Sequence, residues 1–279
     1  MPLKLPEGKR LAVSVGADFD AHSVWMGSFG STSPSYLSRG EFGAEVGVPR
    51  LLETFRRYGI KTTWCVPTHT IQTFRQQCDD ILVDGHEIAA HGVYHEYIPK
   101  LEAAEERRLM ELQLQQHEQL LGQRPRGYRS PAWDFSENTL GLLEEFGFTW
   151  DSSLMGRDFE VYKPRPVIAQ DREKGNTFGQ PSPVLEIPVS WYLDDFPPLE
   201  NLPRSVGMAA TDGVLARWTD LFDFAYDRVP GGVYTLTLHP QTIGRGHHLM
   251  MLERFLDHLA AREGVWFASL SDIAECWQD

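Results

Sequence analysis

Cysteine is scarce. Cys65, Cys78 and Cys276 are the whole complement of the 279 residues, and no two form a C-x-x-C pair. That excludes a disulfide scaffold and suits a reducing compartment. Long apolar runs are missing: no stretch of 18 apolar residues occurs, so no membrane-spanning helix is expected. The first ten residues, MPLKLPEGKR, lack the apolar centre of a signal peptide, and a cytoplasmic location is expected on that ground. Positive charge is short as well. Lys and Arg number 26 against 39 Asp and Glu, a formal net charge of −13, which argues against nucleic acid or an anionic membrane surface as a partner. Nor is there a Ser/Gly/Pro-rich linker or a charge block. One domain over 1–279 is therefore expected, and 42% hydrophobic residues suffice for a substantial core.

What is present is an alternation. Short apolar runs at 11–17, 60–66, 88–90, 126–130, 148–151, 184–189, 233–238 and 265–270 read as strands. Between most of them lie helix-period patterns, such as 47–58 closed by Gly59 and 101–121 closed by Gly122. Residues 22–46 are rich in Gly, Ser and aromatics without a period, and read as a long ordered loop. Residues 155–182 read as an irregular insertion. Alternating strands and helices predict an α/β fold with a mostly parallel sheet, most simply a distorted (β/α) barrel of seven or eight strands. Chemistry in such barrels gathers at the C-terminal strand ends.

Two strand ends carry candidate chemistry. His91 closes the run Ile88-Ala89-Ala90, Gly92 permits a sharp turn, and His95 follows four residues on. One helical turn between them would aim both imidazoles at a common point, where they could share a divalent metal. The same spacing also fits two histidines capping a strand against nearby backbone. At the first strand, Asp18-Phe19-Asp20 alternates faces, so the two carboxylates point the same way and Phe19 the other. Crowded carboxylates need a cation or base between them. Alone, the pair reads more simply as a polar strand end in a turn.

Further signatures follow in order: Gly127-Tyr-Arg-Ser-Pro-Ala-Trp133, Asp151-Ser-Ser-Leu154, Trp191-Tyr-Leu-Asp-Asp195 and Leu236-Thr-Leu-His-Pro240. With the two strand ends, their order and spacing over nearly the whole chain resemble the polysaccharide deacetylases of the NodB-homology type, carbohydrate esterase family four. The branch they resemble contains peptidoglycan-deacetylase-like proteins, cyclic imide hydrolases and allantoinases of the same fold. The resemblance implies the same barrel. It implies that Asp20, His91 and His95 hold one divalent metal (zinc first, with cobalt, nickel or manganese compatible) and that Asp18 is the general base. His239 would be the general acid, tethered by Asp151, and Arg129 would hold the Asp18 carboxylate by a bidentate contact. Trp133, Trp191, Tyr192 and Asp194 are expected to line the substrate pocket, and Arg245 to offer it a cation. Phe19 separates the two aspartates that are adjacent in extracellular deacetylases, which points to the cytoplasmic branch.

The expected activity is metal-dependent hydrolysis of a non-peptide C–N bond, first as removal of an N-acyl group from an amino sugar or related amide. The rival is ring opening of a cyclic imide or ureide. A sugar-binding relative that has lost catalysis is the non-enzyme alternative, and it predicts a missing ligand, base or acid. The branch resembled also implies self-association, with a tetramer expected.

Overall fold

Eight of the apolar runs become parallel strands of one sheet in the computed structural model, which describes residues 3–202 and 207–278. In chain order the strands are β1 (Leu11–Asp18), β2 (Thr63–Val66), β3 (Glu87–Ala90), β4 (Gly127–Tyr128) and β5 (Trp150–Asp151). A separate antiparallel hairpin follows, β6 (Val167–Ala169) with β7 (Thr177–Phe178). Then come β8 (Leu185–Glu186), β9 (Val233–Leu238) and β10 (Val265–Phe267).

Strand β1 is the axis of the sheet. Its Ala12–Ala17 pair with Val233–Leu238 of β9 on one edge. The other edge is shared, β10 taking Leu11–Val13 and β2 taking Ala17 and Asp18. From β2 the order continues through β3, β4, β5 and β8. An isolated parallel bridge between Asp194 and Thr237 of β9 brings the chain after β8 back against the start, so the sheet curls into a distorted barrel. The expected α/β barrel is thus the observed fold. Among the described residues no helix is long and apolar enough to cross a membrane.

The alternation at the end of β1 has a clear structural reason. Phe19 is fully buried on the outer side, edge-on to Trp64 at 6.5 Å and beside Phe74 at 6.3 Å. Burying that ring favours one register only, and the register turns Asp18 and Asp20 together into the barrel mouth.

Residues 22–46 are a correction to the sequence reading. They are helical at His22–Gly27 and Pro34–Phe42, and a π-helical turn at Gly43–Gly47 runs straight into the helix Val48–Tyr58. The first two segments are shorter than the window over which a helical period is legible. Their glycines, which suggested a loop, are contact points: a Cβ on Gly40 or Gly47 would strike the backbone of Ala21 or Pro240. The insertion 155–182 is likewise not wholly irregular, since it carries the β6–β7 hairpin, whose residues are all exposed. The helices ending at Gly59 and Gly122 stop where expected.

Candidate active site

Every functional candidate from the barrel occupies a C-terminal strand end. Asp18 is the last residue of β1, His91 follows β3, Arg129 follows β4, Asp151 ends β5 and His239 follows β9. Asp20, His91 and His95 converge: their ligand atoms all lie within 4.8 Å of one another, and all three residues are buried. Nε2 of His91 is 3.4 Å from Oδ1 of Asp20, and Nε2 of His95 is 3.8 Å from its Oδ2.

The helical turn expected between the two histidines is absent. His95 itself is left-handed, with φ of 60°. The loop is instead held by Glu96, whose carboxylate accepts the backbone N–H groups of Val93 at 3.0 Å and Tyr94 at 2.9 Å. Gly92 has a φ of +74°, and a Cβ there would also sit 2.9 Å from both Glu96 and Pro131. The four-residue spacing still works because this capped turn, like a helical one, folds the two imidazoles to one side, with ring centroids 5.0 Å apart.

Both imidazoles are held at Nδ1, His91 by a group that fixes its tautomer. Nδ1 of His91 lies 2.7 Å from the carbonyl oxygen of Arg129. A carbonyl only accepts, so Nδ1 carries the proton and Nε2 presents its lone pair. Nδ1 of His95 lies 2.7 Å from Oγ of Ser28, which also reaches the His95 carbonyl oxygen at 3.2 Å. With the hydroxyl proton on that carbonyl, Nδ1 donates and Nε2 is again free. Ser28 follows the helix His22–Gly27, and it reaches His95 because Gly27 has no side chain. A Cβ on Gly27 would stand 2.1 Å from the Tyr94 carbonyl oxygen. The sequence reading missed Ser28, because it was assigned to a loop with no distinguishing motif.

These donors fit a divalent cation. Both carboxylate oxygens of Asp20 and Nε2 of His91 are buried, and among the described residues none has a hydrogen-bond partner. Buried polar atoms are rarely orphaned, and an ion among them satisfies all three. Burial opposes charge on Asp20, but His95, His91 and His239 hold its carboxyl well below the usual carboxylate range. Burial pushes the His95 imidazole down to about 4, so it is neutral at pH 7, as a ligand must be.

Asp18 stands beside this cluster, its Oδ2 3.9 Å from Nε2 of His91. Nη1 of Arg129 donates to Asp18 Oδ1 at 2.7 Å. The contact is single rather than bidentate. The rest of the guanidinium is engaged elsewhere: Nε with the Ser152 carbonyl at 2.9 Å, Nη2 with Ser152 Oγ at 2.9 Å, and Nη1 also with Thr237 Oγ1 at 3.2 Å.

His239 lies across the cavity, with Nε2 3.8 Å from Asp20 Oδ2. Its tether is not Asp151. Nδ1 donates to Asp195 Oδ1 at 2.8 Å, the His239 backbone N–H donates to the same oxygen at 2.9 Å, and Asp194 Oδ1 lies 3.4 Å from Nδ1. Burial works against charge on the ring, yet the carboxylates of Asp194 and Asp195 carry it well above its ordinary value. Asp151 is on β5, bonded to the Ser153 hydroxyl and opposite Glu186 of β8 instead. The aspartate pair at the end of Trp191-Tyr-Leu-Asp-Asp195 was the available signal, but it reaches His239 only through the bridge that closes the barrel.

One cavity of about 220 Å³ joins these groups. Asp18, Asp20, His91, His95, Asp194 and His239 are on its floor. Its walls are apolar: Trp133 and Trp191 stack at 4.5 Å on one side, and Phe29 and Phe196, 6.4 Å apart, are on the other. Trp133 is driven inward by a strained turn in which Ala132 and Trp133 have φ of 55° and 52°. Two expected pocket residues lie elsewhere. Tyr192 is 66% exposed and lines an outer depression with Arg157 and Arg217, on the far side of Trp191. Arg245 stacks on Phe42 at 3.5 Å and does not line the cavity, because the short helix Pro240–Ile243 just before it is packed against the segment 34–47.

A parallel α/β barrel with aspartates, histidines and an arginine gathered at its C-terminal mouth defines a hydrolase-type architecture. The chain belongs to the polysaccharide deacetylase family. That family's profile matches residues 41–150. The peptidoglycan deacetylase of Helicobacter pylori is 36% identical over 281 residues, covering 96% of each chain. A crystal structure from Mycobacterium smegmatis assigned to the polysaccharide deacetylases superposes with a TM-score of 0.85 at 31% identity, over 98% of this chain and 92% of that one. The Puue allantoinase shares the fold, with a TM-score of 0.80 at 23% identity over 99% and 93%.

Proposed function

We propose that the protein is a metal-dependent hydrolase that removes an N-acyl group from an amino sugar or related amide. The observation that carries this reading is the meeting, in one small cavity, of a three-ligand cluster, a second carboxylate held by an arginine and a carboxylate-held histidine. Asp20, His91 and His95 would hold the cation, zinc being favoured by two imidazoles and one carboxylate. When bound, a divalent cation lowers the pKa of water and polarises a carbonyl. Asp18 takes the proton from the attacking water, and Arg129 keeps its carboxylate turned toward that water. His239, protonated at Nε2 and held at Nδ1 by Asp195, donates to the leaving nitrogen. The two carboxylates of Asp18 and Asp20 divide the labour, because one faces a guanidinium and the other two imidazoles.

The inactive, sugar-binding alternative requires a missing ligand, base or acid, and all five positions are filled. A second reading, opening of a cyclic imide or ureide, is favoured by the cavity. Its volume of about 220 Å³ is below the roughly 300–1,000 Å³ of common ligand pockets. Apolar walls suit one compact ring better than a hydroxylated polymer. Assay of the zinc-loaded protein on N-acetylglucosamine oligomers, succinimide and allantoin separates the two. Release of acetate supports the first reading, and turnover of the ring substrates alone rejects it.

Ser28 supplies a check on the ligand set. Ser28→Ala removes the acceptor for His95 Nδ1–H and is expected to weaken zinc binding about 10-fold or more. Ser28→Thr should largely preserve it. Competition with a chromogenic chelator reads both, and equal affinity in Ser28→Ala and wild type would show that Ser28 does not set the tautomer of His95.

A further inference from the structure

The carboxyl groups of Asp151 and Glu186 face each other beneath the site. Both residues are completely buried, opposite one another in register on β5 and β8. Each keeps one buried carboxyl oxygen, Asp151 Oδ2 and Glu186 Oε2, without a hydrogen-bond partner among the described residues. Glu186 Oε1 accepts the backbone N–H groups of Ser153 at 3.0 Å and Leu154 at 2.9 Å, and Asp151 Oδ1 accepts the Ser153 hydroxyl at 2.7 Å. The cation closest to hand is Arg129, and its guanidinium bonds go to Ser152, Asp18 and Thr237 rather than to either acid. The other titratable groups facing the pair are the phenols of Tyr128 and Tyr162, which bring no positive charge.

We propose that Asp151 and Glu186 hold a single proton between them, and that this protonated pair is a positioning unit keeping Arg129 aimed at Asp18. Two carboxylates side by side in a dry site, with no cation among the described residues bonded to either, resist ionising together. Burial accordingly pushes Asp151 up to about 6 and Glu186 well above its ordinary value. With one proton shared, the pair is a compact acceptor that clamps the turn 152–154. Ser152, the first residue of that turn, supplies the carbonyl and the hydroxyl on which Arg129 rests. Ser153 Oγ also accepts the backbone N–H of Ser130 at 2.8 Å, so the residue after Arg129 is tied to the same clamp. Were both acids ionised, repulsion would open the turn and Arg129 would lose two of its bonds. The link to catalysis rests on Asp18 as the base, but the pair and its hold on Arg129 do not.

The test therefore avoids activity. In an infrared difference spectrum, wild type minus Glu186→Gln at pH 7, a protonated-carboxyl C=O band is expected. Its absence would overturn the proposal. In arginine-selective ¹⁵N spectra, Arg129 Nε–H should exchange slowly in wild type and in Glu186→Gln, where the amide N–H replaces the shared proton. Glu186→Ala should accelerate that exchange at least tenfold, and wild-type exchange in Glu186→Ala would overturn the positioning role. The pH dependence supplies a second arm. An acid whose folded pKa is raised favours the fold at low pH and loses that advantage as pH rises through the folded value. Between pH 7 and 9.5, Arg129 exchange in wild type should therefore rise more steeply than in Glu186→Gln. If Glu186→Ala fails to fold, this comparison decides alone, and parallel slopes overturn the proposal.

Discussion

Asp18→Asn is expected to lower kcat by about 10²- to 10⁴-fold while leaving zinc binding intact. The amide keeps the shape of the carboxylate but cannot accept the proton of the attacking water. Asp20, His91 and His95 are untouched, so a chelator-competition assay should return the wild-type affinity. The substitution has a structural cost, because Arg129 is 1% exposed and donates to Asp18 at 2.7 Å. An uncompensated buried cation destabilises a fold by about 3–5 kcal/mol, although the three bonds from Arg129 to Ser152 and Thr237 remain. Thermal unfolding measured beside the kinetics separates the two effects. Retention of kcat within tenfold in a folded Asp18→Asn protein would remove Asp18 from the role of base.

The second large effect concerns the acid. Asp195→Asn is expected to cost about 10²-fold in kcat on an amide, and His239→Ala about 10²- to 10⁴-fold. Asn cannot stabilise a protonated ring, and the carboxylate of Asp194 is farther from Nδ1, at 3.4 Å against 2.8 Å. The loss should depend on the leaving group. Expelled amide nitrogen needs a proton, whereas 4-nitrophenolate leaves without one, so 4-nitrophenyl acetate should lose far less activity than an N-acetyl amide. Equal losses on both would mean that His239 acts by binding rather than by protonation.

These two residues illustrate how differently parts of the site can be read from the chain. Asp18 and Asp20 were legible because strand alternation is local: an apolar Phe19 between two carboxylates dictates which way each one points. The His91 and His95 pairing was legible in outcome but not in geometry. A four-residue spacing permits convergence through a helical turn or through a capped left-handed one, and Gly92 with Glu96 favours the latter. Residues 22–46 were misread because short helices that pack through glycine have no readable period. Ser28 was hidden with them.

The carboxylate for His239 could not be chosen from sequence. Asp151 and Asp195 both end or follow apolar runs, and nothing in the order of the chain says which of them lies beside β9. The bridge between Asp194 and Thr237 makes that choice, and it leaves Asp151 facing Glu186 instead.

The amino-acid sequence by itself determined the alternation of strands and helices, the barrel that follows from it, and the strand tips at which acids and imidazoles stand. Those are consequences of short-range periodicity and turn chemistry. Only the tertiary structure decided which distant side chains stand together: Asp195 with His239, Ser28 with His95, Glu186 opposite Asp151, and the aromatic walls that close the cavity. Such pairings depend on how the sheet curls and where it closes, and that closure is a property of the whole packed chain.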